Sequence, residues 1–431
     1  MPDPSPLLLP WLTARRWQVA FSGGLDSTVL LHLLHAYAQR HGAPPLCAVH
    51  VQHGLQAVAD TWPAHCQQVC EQWGVELRVV EVKVEVGASL EQAARTARYQ
   101  AFEALLEEGD VLFTGQHLDD QAETVLFRLF RGAGLRGLTG MPQVRPLGRG
   151  QLVRPLLGHC RAQLQDYATR HGLTWIEDPS NSDTRFARNY LRAEVVPALR
   201  QRWPQAQQSL VRSAAHLHEA QGLLDELARE DLQAAATQHA FAWAGVDSLS
   251  LAALAPLSPA RQRNALQYWL APRTRLPDTR HWAGWEALRD AAFDAQPVWQ
   301  LTDGELQRSQ GRLWWLSGAW LQAPSGDIAW PDPAVALQLP GNGVLAPLGE
   351  PHGAGLRIAY RRGGEVLDLP GRGRRDLKRL FNELQVPHFL RQRLPLVWQG
   401  ERLLGVANLP ALATTLPEVT WVPPNSAQGL S

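Results

Sequence analysis

The stretch VAFSGGLDSTVL, residues 19–30, constrains the fold of this chain more than any other part of it. An apolar, strand-like run leads into the segment 22–27, and an apolar, helix-like run follows. Adjacent glycines permit positive φ angles and let a ligand approach backbone amides without Cβ interference. The helix that follows would point its free N–H donors at the same place. The stretch therefore predicts an anion-binding loop at the end of a strand.

The composition of this loop indicates which phosphate chemistry it serves. It contains neither GxxxxGKS nor GxxxxGKT and has no lysine nearby, so it is not a Walker A loop. A lysine-free cradle suits pyrophosphate as the leaving group, as in adenylation by ATP. Asp26 would repel a bare phosphate, which indicates a Mg²⁺ ion and a catalytic role for this carboxylate. A tight strand–helix connection without a ligand is the structural alternative. The residues assigned to ATP and pyrophosphate are Ser22, Gly23, Gly24, Leu25, Asp26 and Ser27.

Strand and helix patterns alternate through the first half of the chain. Short apolar strand candidates lie at 17–21, 46–51, 76–82 and 110–115, and helical patterns at 26–40, 61–73, 89–108, 119–131 and 159–171. This alternation predicts an α/β fold with a parallel sheet. Ligands bind such sheets beyond the carboxyl ends of the strands. We therefore expect the loop 22–27 and the segment 115–124 to face one another.

The length of 431 residues suits two or three domains. We expect a parallel-sheet domain for adenine-nucleotide binding over 1–200. A mainly helical domain should follow over 205–320, with helices at 206–236 and 258–271 and a short strand pair near 297–319. A Pro- and Gly-rich linker is predicted at 322–355, and a small α+β domain at 356–425.

The segment HLDDQAETVLF crowds Asp119, Asp120 and Glu123 into the start of a predicted helix. Asp120 and Glu123 are three residues apart and share a helix face. Helix capping and the helix dipole are one explanation of these acids. The functional explanation is a site for a cation, either Mg²⁺ or an ammonium group. Two interpretations of His117 stay open, namely a residue that only starts the helix and a residue of the site.

The charge pattern bears on nucleic-acid binding, because the net charge of zero leaves only local patches to hold such a partner. Residues 356–393 contain ten basic residues and four acidic ones. Arginine suits bidentate phosphate contacts. Residues 124–165 contain no Asp or Glu but seven arginines, at 128, 131, 136, 145, 149, 154 and 161. We expect this stretch to bind the backbone phosphates of a nucleic acid.

Several segments together identify a family. SGGLDS resembles the loop of the N-type ATP pyrophosphatases of the PP-loop superfamily. Further segments resemble the tRNA(Ile)-lysidine synthases, and so does the tail LPGRGRRDLKRLFNELQVPHFLRQRLPLVWQGERLLGV. These segments are HVQHGLQ (50–56), ARTARY (94–99), TGQHLDDQAET (114–124), RGAGLRGLTGM (131–141), RPLL (154–157) and EDPSNSDTRFARNYLR (177–192). The resemblance covers nearly the whole chain except 205–350.

The resemblance implies a function, substrates and site residues. Enzymes of this family adenylate the wobble cytidine of a CAU-anticodon isoleucine tRNA, and the ε-amine of free L-lysine then displaces AMP. The resulting lysidine changes codon recognition from AUG to AUA. ATP, Mg²⁺, free L-lysine and tRNA(Ile) are thus the implied ligands.

The same resemblance assigns roles to individual residues. Asp120 and Glu123 would bind lysine and act in catalysis, and Arg188 would stabilise the adenylate. Asp26 and Asp119 are the candidate Mg²⁺ ligands. Residues expected near the nucleotide are His53, Arg95 and Arg98. Residues expected to contact tRNA are Arg131, Arg136, Arg374, Arg375, Lys378 and Arg379.

Three positions depart from the family pattern, namely Gln52, Gln56 and Gln116. Another adenylating amidotransferase or synthetase of the PP-loop class is the alternative enzyme, although no glutaminase half is evident. A non-catalytic tRNA-binding relative is the alternative from a different class. No stretch reaches the ~20 apolar residues of a membrane span, and we expect a cytoplasmic protein. A homodimer is compatible with the sequence, which does not set the oligomeric state.

Overall fold

The computed structural model describes residues 5–54, 61–84, 90–276, 281–292, 295–348, 355–415 and 418–424. The chain divides into two compact units, Met1–Gly222 and Leu223–Ser431. The division falls inside a long helix, whereas the sequence predicted a domain end near residues 200–205.

The first unit is built on a six-stranded sheet with the strand order β3-β2-β1-β4-β6-β5. Every neighbouring pair is parallel except β5 and β6, which form an antiparallel hairpin that the sequence did not predict. The predicted parallel α/β fold is confirmed. The strands are β1 (Arg16–Ala20), β2 (Leu46–Gln52), β3 (Glu76–Glu81), β4 (Asp110–Phe113), β5 (Val144–Leu147) and β6 (Gly150–Val153).

Helices cover both faces of this sheet, as the residues along β4 make clear. Val111 and Phe113 join one buried cluster, while Leu112 between them joins another. Continuous apolar strands are therefore expected here. The helices are α1 (Ser5–Leu8), α2 (Leu25–His41), α3 (Trp62–Trp73), α4 (Leu90–Leu105), α5 (Leu118–Phe130), α6 (Leu135–Leu138), α7 (Arg161–Arg170), α8 (Ala187–Tyr190), α9 (Val196–Arg202) and α10 (Ala206–Ala235), with a π-helical turn at Leu191–Val195.

The second unit begins within α10 and continues with short helices and an antiparallel sheet. The sheet has four strands in the order β7-β10-β9-β8, so the predicted strand pair near 297–319 was too small. The elements are β7 (Ser248–Ser250), α11 (Leu251–Leu254), α12 (Pro259–Leu270), α13 (Ala283–Asp290), β8 (Val298–Gln300), β9 (Glu305–Ser309) and β10 (Arg312–Leu316).

The remainder of the second unit is rich in short strands, in three further sheets. Their orders are β11-β14-β17-β18, β12-β13-β19 and β15-β16. The elements are β11 (Ile328–Trp330), β12 (Leu337–Gln338), β13 (Val344–Leu345), β14 (Leu356–Ala359), β15 (Val366–Leu369), β16 (Gly373–Asp376), α14 (Leu377–Glu383), α15 (His388–Arg391), β17 (Leu396–Gln399), β18 (Arg402–Val406) and β19 (Trp421–Val422).

The linker predicted at 322–355 is wrong for its described part. β11 pairs with β14 and β13 pairs with β19, so this stretch belongs to the C-terminal sheets. Trp330 and Leu345 are buried in the same cluster as Phe381 of α14. Strands of two or three residues are too short to produce a readable alternation pattern, which is why the Pro and Gly content dominated the prediction.

Within the part of the chain that the structure describes, none of the helices has the length and apolar character needed to cross a membrane.

Candidate active site

The loop after β1 is shaped by Gly23. Phe21 still follows the sheet, because its N–H donates to the Val49 carbonyl at 2.8 Å. Gly23 then takes φ +79°, and a Cβ there would lie 2.9 Å from Ile176 Cδ1 and 3.1 Å from Cys66 Sγ. Both the backbone angle and the space therefore require glycine at this position. The Gly23 carbonyl accepts from Ile176 N–H at 2.8 Å, which fixes the loop from the other side.

The two loop serines hold the loop together rather than extending outward as free donors. Ser27 Oγ accepts from Ser22 N–H at 3.2 Å, donates to the Gly24 carbonyl at 3.0 Å and lies 3.0 Å from Ser22 Oγ. The N-cap of α2 is Gly24, which offers no side-chain acceptor to the first-turn amides. A phosphate oxygen can therefore take the place of a capping side chain.

Gly115 brings the second half of the site against this loop. It follows β4, the neighbour of β1 in the sheet. A Cβ on Gly115 would lie 3.1 Å from the carbonyl carbon and oxygen of Asp26 and 3.2 Å from Ser27 N. The two segments thus meet at the carboxyl ends of adjacent strands, and the acids of α5 follow within a few residues.

His117 is the centre of a group of three carboxylates. Its Nε2 lies 3.6 Å from Asp26 Oδ2 and 3.5 Å from Asp120 Oδ2, and its Nδ1 lies 3.5 Å from Asp119 Oδ2. Burial alone would lower its pKa, but Asp119, Asp26 and Asp120 together raise the pKa of His117 to about 10. These carboxylates therefore favour the protonated form of the ring. His117 is also the N-cap residue of α5, and its main-chain N–H donates to Asp120 Oδ2 at 3.1 Å.

Asp119, the second candidate Mg²⁺ ligand, already has protein donors on both of its oxygens. Its Oδ2 accepts from Arg161 N–H at 2.8 Å, and its Oδ1 contacts Arg200 at 3.1 Å and Gln207 at 2.9 Å. Although burial acts in the opposite direction, His117, the Arg161 N–H and Gln207 lower the pKa of Asp119. Asp119 and Asp26 approach different nitrogens of the His117 ring.

Asp26 is the better candidate for a cation. Its Oδ1 is buried and has no hydrogen-bond partner among the described residues. An unpaired buried carboxylate oxygen is costly and suits a hard cation such as Mg²⁺. Among those same residues, however, no group of three or more His, Cys, Asp and Glu side chains has the arrangement of a complete metal site. The remaining ligands of an ion at Asp26 would therefore be phosphate oxygens and water.

Glu123 is buried and held by two arginines from the segment after α7. Arg192 Nε donates to Oε1 at 2.8 Å, Arg192 Nη2 donates to Oε2 at 3.0 Å, and Arg188 Nε reaches Oε2 at 3.3 Å. Arg192 Nη2 also lies 3.2 Å from Asp120 Oδ1. The structure thus brings together Asp120, Glu123 and Arg188, as the sequence predicted they would be.

Arg192 is the residue of this site that the sequence analysis missed. It was present in the quoted motif EDPSNSDTRFARNYLR, four residues after Arg188. That spacing, which places two side chains on one helix face, is the signal that could have found it. Although burial alone would lower its pKa, the pairing with Glu123 raises the pKa of Arg192.

The residues expected near the nucleotide lie after β2 and on α4. His53 follows β2, and its pKa is lowered by burial and by the nearby charge of Arg98. Arg95 stacks over the Tyr99 ring at 4.9 Å. Arg98 is therefore near enough to influence His53, and Arg95 pairs with Tyr99.

Two of the seven arginines in 124–165 hold the backbone of their own stretch. Arg128 donates to the carbonyls of Gly137 and Gly140, each at 2.8 Å, and so holds the loop after α5. Arg154 is 3% exposed and donates to the Pro142 carbonyl at 2.6 Å. The phosphate-binding role predicted for the whole stretch is therefore wrong for Arg154.

Five of the six predicted tRNA-binding residues are exposed, and Arg136 is half-buried. Arg131 ends α5 and stacks on Phe127 at 4.7 Å, and Arg136 belongs to α6. Arg374, Arg375, Lys378 and Arg379 are all exposed, along β16 and the first turn of α14.

The residues that depart from the family pattern lie in different parts of the structure. Gln52 is the last residue of β2, and Gln116 accepts a hydrogen bond from Thr114 Oγ1 at 2.5 Å. Gln56 lies outside the described residues.

The fold and this geometry define a class of protein. A parallel sheet, a lysine-free glycine loop without a side-chain helix cap and a neighbouring carboxylate cluster make the first unit an ATP-binding PP-loop domain. Residues 5–199 match the family described as PP-loop domain. Residues 249–314 match the TilS substrate binding domain, and residues 356–420 match the TilS substrate C-terminal domain.

Curated relatives narrow the class to one family. The chain is 67% identical to the tRNA(Ile)-lysidine synthase of Pseudomonas putida over 98% of this chain and 99% of that protein. It is 58% identical to the enzyme of the same name from Pseudomonas aeruginosa, over 98% and 97% of the two chains. Identity to the Escherichia coli O157:H7 protein is 39%, over 92% and 93%. The chain belongs to the tRNA(Ile)-lysidine synthase family.

Proposed function

We propose that this protein is a ligase that joins free L-lysine to the wobble cytidine of tRNA(Ile) with a CAU anticodon, at the expense of ATP. The observation that carries the proposal is the contact between a loop fit for pyrophosphate and a helix start bearing Asp120 and Glu123. One half suits activation by adenylation, and the other suits an incoming ammonium group. A chain with both halves can activate a base and then supply it with an amine.

The first step is adenylation of the cytidine. A pyrimidine oxygen attacks the α-phosphorus of ATP, an O–P bond forms, and the bond between the α- and β-phosphates breaks. Pyrophosphate leaves into the loop, where the first-turn amides of α2 stabilise its charge. Asp26 would hold the Mg²⁺ that neutralises the departing phosphates, and its Oδ1, which has no partner among the described residues, supports that role.

The second step is displacement of AMP by lysine. The ε-nitrogen forms a C–N bond with the pyrimidine carbon, the C–O bond to the adenylate breaks, and AMP leaves. Glu123 orients the ammonium group and takes a proton as the amine attacks. Arg188 then stabilises negative charge on the adenylate. Each step uses a different part of the site, so the two can be separated by mutation.

The tRNA is held through local basic patches, since the chain as a whole has no net charge. Arg374, Arg375, Lys378 and Arg379 supply one exposed patch in the second unit. Phosphate contacts of this kind make binding steeply salt-dependent.

Labelled lysine tests the proposed function. The protein is incubated with ATP, Mg²⁺, labelled lysine and an unmodified tRNA(Ile) transcript with a CAU anticodon, and label on the tRNA is measured after acid precipitation. Label should appear only when ATP is present, and an anticodon variant that replaces the wobble cytidine should remain unlabelled. ATP-dependent transfer of an amine from glutamine, or to an acceptor other than tRNA, would instead support another PP-loop synthetase.

A further inference from the structure

Both oxygens of Glu123 are already paired with guanidinium groups. They receive three contacts at 2.8, 3.0 and 3.3 Å, and the residue is 1% exposed. An ammonium group seeks the same carboxylate lone pairs that Arg188 and Arg192 contact. Because so little of Glu123 is exposed, lysine has to compete with these two arginines for it.

The charges around Glu123 balance, which argues against binding lysine first. The groups paired directly around Glu123 are two carboxylates and two guanidinium groups. The carboxylates belong to Asp120 and Glu123, and the guanidinium groups belong to Arg188 and Arg192. An additional ammonium would be an uncompensated charge in a partly buried site. An anionic nucleotide has the opposite sign and would attract the arginines.

The arginines are the movable partners in this arrangement. Their side chains are 33% exposed, whereas that of Glu123 is 2% exposed. Arg192 lies in the π-helical turn at Leu191–Val195, an irregularity that is frequent at functional sites. They also come from a different segment than Glu123, so they can move without the backbone of α5 moving with them.

A short chain of contacts joins the arginines to the nucleotide loop. Arg192 Nη2 lies 3.2 Å from Asp120 Oδ1, and Asp120 Oδ2 lies 3.5 Å from His117 Nε2. That ring nitrogen lies 3.6 Å from Asp26 Oδ2, at the start of α2. Negative charge arriving at the loop is therefore within a few side chains of both arginines.

We infer that Arg192, together with Arg188, is a positioning residue that covers Glu123 until a nucleotide occupies the PP loop. The guanidinium groups then pair with phosphate, and Glu123 becomes free to accept the lysine ammonium. This inference rests on the proposed function and adds an order of binding to it, because the nucleotide must bind before lysine does. It requires positive coupling between the two ligands, and the coupling must be reciprocal.

Equilibrium binding of lysine to the full chain tests the inference. Lysine affinity is measured by titration calorimetry with and without Mg²⁺ and α,β-methylene-ATP, which carries the triphosphate charge but cannot be cleaved at the α–β position. We expect the nucleotide to tighten lysine binding about tenfold or more, within the usual range of allosteric coupling. In the absence of nucleotide, Arg192→Gln should bind lysine about tenfold tighter than the wild-type protein does. The ratio of lysine affinities with and without nucleotide should fall toward one in this variant.

Two further variants make the result decisive. Arg185→Gln is the matched control, because Arg185 is an arginine of the same segment that pairs with Asp183 at 2.7 Å and not with Glu123. It should keep the wild-type coupling. Arg188→Gln should reduce the coupling in the same direction as Arg192→Gln, which covers the case in which the Arg192 variant does not fold.

The outcomes separate this inference from the function on which it rests. Equal lysine affinity with and without nucleotide in the wild-type protein would overturn the inference, as would weaker lysine binding by Arg192→Gln in the absence of nucleotide. If the wild-type protein still attaches lysine to tRNA in that case, the proposed function stands. If lysine is never attached, the proposed function is the part that fails.

Discussion

Replacing Gly115 by alanine should disturb the alignment of the two halves of the site. The added Cβ would lie 3.1 Å from the carbonyl group of Asp26 and 3.2 Å from Ser27 N, whereas ordinary contacts begin at 3.4 Å. Both partners are backbone atoms in the first turn of α2, so no side chain can rotate away. The end of β4 and the start of α2 must separate by a few tenths of an ångström.

The size of the effect follows from this displacement. Overpacking of this kind costs about 1–3 kcal/mol of folding free energy, so the Tm should fall by several degrees. Catalysis is more sensitive, because a 1 Å misplacement of reacting groups can cost about 100-fold. We expect pyrophosphate release to slow by about tenfold or more, while tRNA affinity is retained.

Pyrophosphate release in the presence of ATP, Mg²⁺ and tRNA is the assay, with thermal unfolding measured in parallel. Gly158→Ala is the matched control, because a Cβ on Gly158 meets no heavy atom within 4 Å. It should behave as the wild-type protein does. A Gly115→Ala variant with the wild-type rate and Tm would refute the idea that this contact sets the spacing between loop and carboxylates.

Three other predictions address individual parts of the account. Asp26→Ala should abolish pyrophosphate release in a phosphate assay while filter binding of tRNA is unchanged, and normal release would remove Asp26 from the mechanism. Arg374→Ala combined with Arg375→Ala should weaken tRNA binding and lower the slope of log affinity against log salt by about two, and an unchanged slope would mean that these exposed side chains do not contact phosphate. The pKa of His117 in the folded protein is raised to about 10. The stabilisation from its protonated ring is therefore complete below its ordinary pKa near 6.5 and is lost as pH rises through 10. In urea titrations, the difference in unfolding free energy between wild type and His117→Gln should shrink from pH 7 to 10, and a constant difference would contradict the raised pKa.

The sequence was informative wherever a local pattern determines the structure. The loop at 22–27, the parallel strands and the acidic start of α5 follow from glycine spacing, apolar runs and the chain order of strands and helices. The sheet topology then brings Gly115 against Asp26 without any further information. Local chemistry and sheet geometry are enough for this part of the site.

The errors concern contacts between residues far apart in the chain. Asp119 was assigned to a metal, but its partners Arg200 and Gln207 are more than eighty residues away. Arg154 was counted as a phosphate contact, although it donates to the Pro142 carbonyl in the interior. Arg192 was missed although it lies four residues after Arg188, because that spacing does not show that Glu123, 69 residues earlier, is its partner. A side chain's identity does not reveal whether another residue has already paired with it.

The most direct test of the central claim is to follow the α-phosphate of ATP. The protein is incubated with ATP labelled at the α-phosphorus, Mg²⁺ and the CAU tRNA(Ile) transcript without lysine, and lysine is then added as a chase. The account predicts that label becomes attached to the tRNA first and is released as AMP when lysine is added. Attachment of lysine to the tRNA with the α-phosphate label found only on lysine, and never on the tRNA, would contradict the account.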